Sequence, residues 1–181
     1  MEALRYTLVG SGTIVPDAER GPAAHHFICG SLSLLCDLGS GTLRRMHGLG
    51  LPFEELDLVA VTHRHQDHIA DLLPLLFALR NTPDLQRVRP LTLLGYPGFE
   101  EDLHRLAGVF GTWVLDPGFP LEVWEAGETP VELEREDAME EAVRRKIESQ
   151  KRDIPEGSPE WDLLFRKYYE EELTKVKRLR E

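Results

Sequence analysis

The apolar and polar positions lay out most of the chain. The run at 4–9 predicts a strand, which ends in Gly10, Ser11, Gly12 and Thr13, a tight and permissive loop. Residues 16–26 are polar, carry Pro and Gly, and read as a loop. Residues 27–37, rich in Leu, Cys and Ser, read as a second strand, and Gly39, Ser40 and Gly41 follow it. A short helix over 42–48 is closed by Gly48 and Gly50, with a turn at 52–55. Residues 56–62 are apolar on both faces apart from Asp57, as expected of a strand covered on both sides. Residues 69–80 predict a helix with Leu72, Leu73, Leu75, Leu76 and Leu79 on its apolar side, and Pro74 early enough to be accommodated. A strand at 91–95 and a helix at 98–108 come next, the helix carrying Leu103, Leu106 and Ala107. Segments 121–126 and 130–133 look like the arms of a late hairpin. Strand and helix alternate, so the expected class is α/β in layers.

The pattern then changes. Ala138, Met139, Ala142, Val143 and Ile147 stand at helical spacing, with acids early and bases later, as the helix dipole prefers. Residues 153–157 break the helix. Ser158 and Pro159 then read as an N-cap followed by the first helical position. Trp161, Leu164, Phe165, Tyr168, Leu173, Val176 and Leu179 give the next helix an apolar face. Charge usage shifts at the same place. Residues 1–133 hold nine Arg and no Lys, whereas all five Lys lie in 134–181, where more than half of the residues are charged. Such a shift marks a boundary between two kinds of structure. The expected organisation is one domain over 1–134 and a helical hairpin over 135–181. The hairpin would pack on the first part or on a second copy of the chain, and homo-oligomerisation is expected.

Composition narrows the classes. The 181 residues are enough for one domain with a true core plus an appendage. The formal charge of -11 gives no general help in binding nucleic-acid backbones, so nucleic acid is not indicated as a partner by charge. The basic run at 175–180 reads as the solvated end of a helix. No apolar stretch approaches the length of a membrane span and no basic leader precedes one, so a cytoplasmic protein without membrane association is expected. Cys29 and Cys36, both in apolar surroundings, read as buried free thiols rather than a disulfide framework.

The chemistry concentrates in one place. Directly after the apolar strand come Thr62, His63, Arg64, His65, Gln66, Asp67 and His68. His63 and His65, one residue apart in an extended or turning backbone, can share an ion. Asp67 and His68, where the chain turns into a helix, can face a second. Imidazole and carboxylate suit zinc, with manganese or iron as alternatives. Two ions about 3.5–4 Å apart clamp both oxygens of a displacement. Asp37 either supports a ligand histidine by a hydrogen bond or caps the helix at Thr42. Gly12 and Thr13 either offer backbone N–H groups to a phosphate or form only a tight turn beside the site. His25 and His26 either approach the substrate or metal, or are solvated loop residues. His47 suits its helix C-terminus, and His104 reads as a surface or packing residue of a helix.

These motifs resemble the metallo-β-lactamase-fold hydrolases, in particular the ribonuclease Z-like subgroup. The resemblance rests on the turn from Gly10 to Thr13, on Pro16 and Arg20, and on the strand end from Asp37 to Thr42. It rests further on the signature from Thr62 to His68 with Ala70, Asp71 and Leu72 after it, and on the turn Gly95, Tyr96, Pro97 and Gly98. It covers residues 4 to about 134. It implies a sandwich of two sheets with helices outside, here in truncated form. It implies His63 and His65 on a first zinc, Asp67 and His68 on a second, and a shared hydroxide that attacks a phosphodiester or small-molecule substrate, with Asp67 orienting it. Asp37, Gly12 and Thr13 would shape the pocket. The family's later ligands, a third histidine, a bridging aspartate and a last histidine, have no counterpart after His68, where His104 is the sole histidine. Two functions follow: a metal-dependent hydrolase, or a non-enzymatic oligomeric protein on a reduced hydrolase fold.

Overall fold

A computed structural model describes residues 4–83, 85 and 87–127, together with 143, 144, 146, 147, 149, 154, 155, 158, 160, 161, 163–165, 167 and 168. The chain divides into two compact units, Met1–Thr129 and Pro130–Glu181. The expected strand at 130–133 lies outside the described residues, as do Ala138, Met139, Ala142, Leu173, Val176, Leu179 and the basic run at 175–180.

The first unit contains β1 (Leu4–Gly10), β2 (Ala24–Cys29), β3 (Leu32–Cys36), α1 (Thr42–Gly48), β4 (Leu58–Ala60), α2 (Gln66–Ile69), α3 (Leu72–Asn81), β5 (Leu91–Gly95), α4 (Phe99–Phe110) and β6 (Leu121–Glu125). The six strands form one mixed sheet in chain order. The pairs β1–β2 and β2–β3 are antiparallel, and β3–β4, β4–β5 and β5–β6 are parallel. Each parallel connection carries a helix, as a crossover requires. Among the described residues this is the only sheet.

The single strand expected over 27–37 is instead a hairpin. Its arms meet at the pair Cys29 and Leu32, and Gly30 and Ser31 form the two-residue turn. Gly30 takes φ 59°, which suits the first central position of a tight hairpin turn. Strand β2 also begins earlier than expected. His25 and His26 are therefore strand residues, not loop residues. His26 is fully buried and its Nε2 lies 2.9 Å from Ser33 Oγ. His25 is half-buried, with its Nδ1 2.9 Å from the Tyr6 hydroxyl. The buried-thiol expectation also fails in part, because Cys29 is exposed and Cys36 is half-buried; both are free. The helix expected at 69–80 starts earlier, as α2, and is broken at Ala70 and Asp71 before α3.

One sheet face is covered. Val9, Leu35, Val59, Leu91 and Leu93 join Met46 of α1, Leu72, Leu75, Leu76 and Leu79 of α3, and Phe99 and Leu103 of α4 in one buried cluster. Burial of one such side chain contributes about 1.5–3 kcal/mol. The opposite face begins with Leu4, Tyr6 and Leu8, which alternate along β1 and remain 65, 51 and 48% exposed. Phe27 and Leu34 continue that face through the strand register and are half-buried. No described helix is long and apolar enough to cross a membrane.

In the second unit the described residues include helical turns at 143–144, 146–147, 160–161, 163–165 and 167–168. Val143 and Ile147 are buried. Trp161 and Phe165 stack at 4.8 Å between ring centroids, and the Arg144 guanidinium lies 5.5 Å from the Trp161 ring.

Candidate metal centre

The carboxyl ends of β3, β4 and β5 lie side by side, and the loops leaving them carry the chemistry. Ligand sites gather at such strand ends in open α/β sheets. The ladder runs slightly past the strands, with Asp37 N–H donating to Ala60 O at 2.8 Å and Val61 N–H to Leu94 O at 2.7 Å. The loop after β3 is then tied to the histidine segment. Leu38 N–H donates to His68 O and Asp71 N–H to Leu38 O, both at 2.9 Å. Gly39 permits this approach: a Cβ there would lie 2.2 Å from the Asp67 carbonyl oxygen and 2.4 Å from Pro22 Cβ.

Asp37 sits at the centre of the arrangement. Its φ of 59° is the sole left-handed non-glycine conformation among the described residues, and aspartate is one of the few residues that tolerates it. The carboxylate is buried. It accepts the Thr62 N–H at 2.8 Å, lies 3.0 and 2.9 Å from the Thr62 hydroxyl, and accepts from His68 Nδ1 at 2.7 Å. Of the two roles open to Asp37, its contacts are those of a histidine support. The start of α1 is served by a different acid: Asp71 accepts the N–H groups of Gly41 at 3.0 Å and Leu43 at 2.9 Å.

A carboxylate at Asp37 has no proton to give, so Nδ1 of His68 is the donor, and in the neutral ring Nε2 carries a free lone pair. That nitrogen lies 3.7 Å from Asp67 Oδ2. Two ligands each about 2.0–2.1 Å from a tetrahedral zinc stand roughly 3.4 Å apart. The His68 and Asp67 pair fits such an ion within a few tenths of an ångström. The His63 ring packs beside it, its centroid 4.1 Å from that of His68 and 4.6 Å from that of His65. The structure thus brings all four side chains of the motif together. Among the described residues no three His, Cys, Asp or Glu side chains converge on a single point. The donor chemistry suits a metal, and the described residues would supply only part of its shell.

The other expected pocket residues stand further back. The Gly12 N–H donates to Gly21 O at 2.7 Å and so is committed within its own loop. The exposed Thr13 hydroxyl accepts the Val15 N–H at 3.3 Å. The glycine loop meets the centre through Pro22, against whose carbonyl Gly10 packs. His26 hydrogen-bonds Ser33, and burial holds its imidazole below the ordinary range. His47 lies in the last turn of α1 and His104 is exposed on α4, both as expected.

Three features escape the sequence pattern. The Thr62 hydroxyl sits between Asp37 and His63, with its oxygen 3.0 Å from His63 Nδ1. Asp71 braces the turn around Gly41. Arg64 leaves the motif and lies over the Tyr96 ring, 5.4 Å from its centroid and 3.7 Å from Asp102. Burial and the hydrogen bond to Asp102 push the Tyr96 hydroxyl up to about 12. Threonine before the first histidine and aspartate after Ala70 were visible signals without an assigned job; for Arg64 the sequence carried none.

Known proteins fall into two groups along the chain. Residues 130–177 match a family described as a protein of unknown function (DUF507). Over 108 residues the chain is 36% identical to ribonuclease Z of Mycobacterium sp. (strain KMS), which covers 60% of this chain and 38% of that protein. Among solved structures it is similar to the metallo-β-lactamase fold protein YhfI from Bacillus subtilis. There the TM-score is 0.54 and the identity 26%, over 75% of this chain and 50% of that one. Human tRNase Z, short form, gives a TM-score of 0.55 at 25% identity, over 66% of this chain and 44% of that one. The chain spans about two fifths of the length of that curated relative. Its N-terminal part therefore has the metallo-β-lactamase fold and carries a partial ribonuclease Z-like sequence.

Proposed function

We propose that the chain is a metal-dependent hydrolase of the ribonuclease or phosphodiesterase kind, acting in the cytoplasm. One observation carries this reading: His68, held by Asp37, presents Nε2 to Asp67 with His63 and His65 alongside. His63 and His65 would hold one ion, and Asp67 and His68 a second. Zinc is the favoured metal, with manganese or iron as alternatives. A bound zinc ion acts as a Lewis acid and brings the ionisation of a water molecule close to neutrality. Asp67, the catalytic carboxylate of this reading, accepts a hydrogen bond from the attacking water and orients it toward phosphorus. Asp37 keeps the histidine rings in place without touching substrate. The domain would cover 1–134, with 135–181 as a helical appendage. Similarity to ribonuclease Z supports a phosphodiester substrate, and a small one fits the acidic chain better than a long nucleic acid. Hydrolysis of an activated phosphodiester tests the reading. Activity should vanish with a chelator and with His65→Ala, and return with zinc in the parent protein. Metal binding without turnover would remove the enzymatic part.

A second reading, a homo-oligomeric protein without enzymatic activity, is favoured by the open apolar stripe of Leu4, Tyr6 and Leu8. Under that reading light scattering gives a dimer or larger assembly, and the melting temperature ignores chelator. A strictly monomeric protein at micromolar concentration contradicts it.

A further inference from the structure

We infer that Asp37 fixes the tautomers of two histidines at once, His68 directly and His63 through the hydroxyl of Thr62. The inference rests on the metal-centre reading for its purpose but not for its geometry. An ionised carboxylate only accepts, and a threonine hydroxyl has one proton to donate. The Thr62 oxygen is 2.9 and 3.0 Å from the two Asp37 oxygens, and 3.0 Å from His63 Nδ1. Its proton goes to the carboxylate, because a hydrogen bond to an ionised acceptor is about twice as strong as one between neutral groups. The hydroxyl oxygen then has only lone pairs left for His63, and Nδ1 of His63 must supply the hydrogen. The proton order is His63 Nδ1–H to Thr62 Oγ1, and Thr62 O–H to Asp37. On the other side of the same carboxylate, His68 Nδ1–H donates to Oδ2 at 2.7 Å.

In the neutral form of each ring the hydrogen sits on Nδ1 and Nε2 is left with its lone pair before any metal arrives. The arrangement is anchored at its buried end. Asp37 is 4% exposed, has its own N–H on Ala60 O, and accepts the Thr62 N–H as well. Thr62 is exposed, so its hydroxyl and not its burial is what serves His63. Thr62 and Asp37 are positioning residues: each acts through a histidine.

Long-range nitrogen–proton correlation spectra of the metal-free full chain, recorded on the alkaline plateau of the imidazole signals, read the tautomers of the neutral rings directly. Both His63 and His68 should carry the proton on Nδ1. Thr62→Val should release His63 to a tautomer mixture and leave His68 unchanged, and Thr62→Ser should restore the parent spectrum. Zinc affinity of Thr62→Val should fall by about 10-fold or more, the usual cost of losing an outer hydrogen-bond partner. A parent protein with Nε2–H on His63 overturns the inference, even if the variant does not fold. So does a Thr62→Val spectrum in which both histidines are unmoved. Parent protein with the stated tautomers but no zinc binding leaves the inference standing and defeats the metal-centre reading instead.

Discussion

Nδ1 of His68 donates to Oδ2 of Asp37 at 2.7 Å, from opposite sides of a gap of 31 residues in the chain. The contact joins the end of β3 to the start of α2, and backbone hydrogen bonds from residue 38 reinforce it. A left-handed aspartate between a strand and a glycine turn is what places the carboxylate there. Replacing Asp37 with Asn keeps the shape and the tolerated backbone conformation but removes the charge. Zinc affinity is expected to fall by about 10–100-fold, as for other losses of a ligand's supporting partner. Calorimetric titration of the two proteins measures it.

Gly39 bears directly on the same centre. A methyl group there meets the Asp67 carbonyl oxygen and Pro22 Cβ at distances real atoms do not adopt. Gly39→Ala should destabilise the protein by about 2 kcal/mol or more, the usual range for overpacking. Urea denaturation with a constant slope tests the stability. Weakened zinc binding in the same variant marks displacement of Asp67.

Asp71 serves the start of α1 from another element, accepting two N–H groups that the helix itself cannot pair. Asp71→Ala should cost about 1–2 kcal/mol, since two charge-assisted bonds to the N–H groups of exposed Gly41 and half-buried Leu43 are lost. Asp71→Asn, which retains an acceptor, should lose about half of that in the same denaturation experiment.

Burial, with a smaller contribution from Arg5, holds the His26 imidazole below its ordinary value. Below about pH 6.5 the unfolded chain takes up a proton that the folded chain resists. The unfolded state then binds more protons, and stability falls with falling pH. The His26 contribution is complete above that value and is lost as the pH drops from there toward the lowered folded value. In melting curves from about pH 8 to about pH 5, His26→Gln should show a shallower decline than the parent protein. Equal slopes remove His26 as a cause.

The sequence was informative where periodicity and special residues agree. The helix at 42–48, the strand at 91–95, a helix close to the expected 98–108, and the proximity of His63, His65, Asp67 and His68 all follow from local pattern, whereas the strand expected over 56–62 is confined to Leu58–Ala60. The β2–β3 hairpin was hidden because Cys29, Gly30 and Ser31 interrupt an apolar run by only one glycine, and only its positive φ reveals the turn. His25 and His26 looked like loop residues because Pro22 and Gly21 precede them. Pairing with β1 and β3 overrides that local composition. The roles of Asp37, Thr62 and Asp71 depend on contacts between residues 25 to 31 apart, which no local pattern encodes.

Metal content of the purified chain decides the central claim most directly. After saturation with zinc and removal of the excess by gel filtration, elemental analysis should find at least one zinc per chain in the parent protein. The variant His63→Ala, His65→Ala, His68→Ala should retain about a tenth or less, since loss of a ligand's supporting partner alone costs about 10–100-fold in affinity and here three ligands are removed. Equal zinc in the two proteins, or none in the parent, contradicts the account.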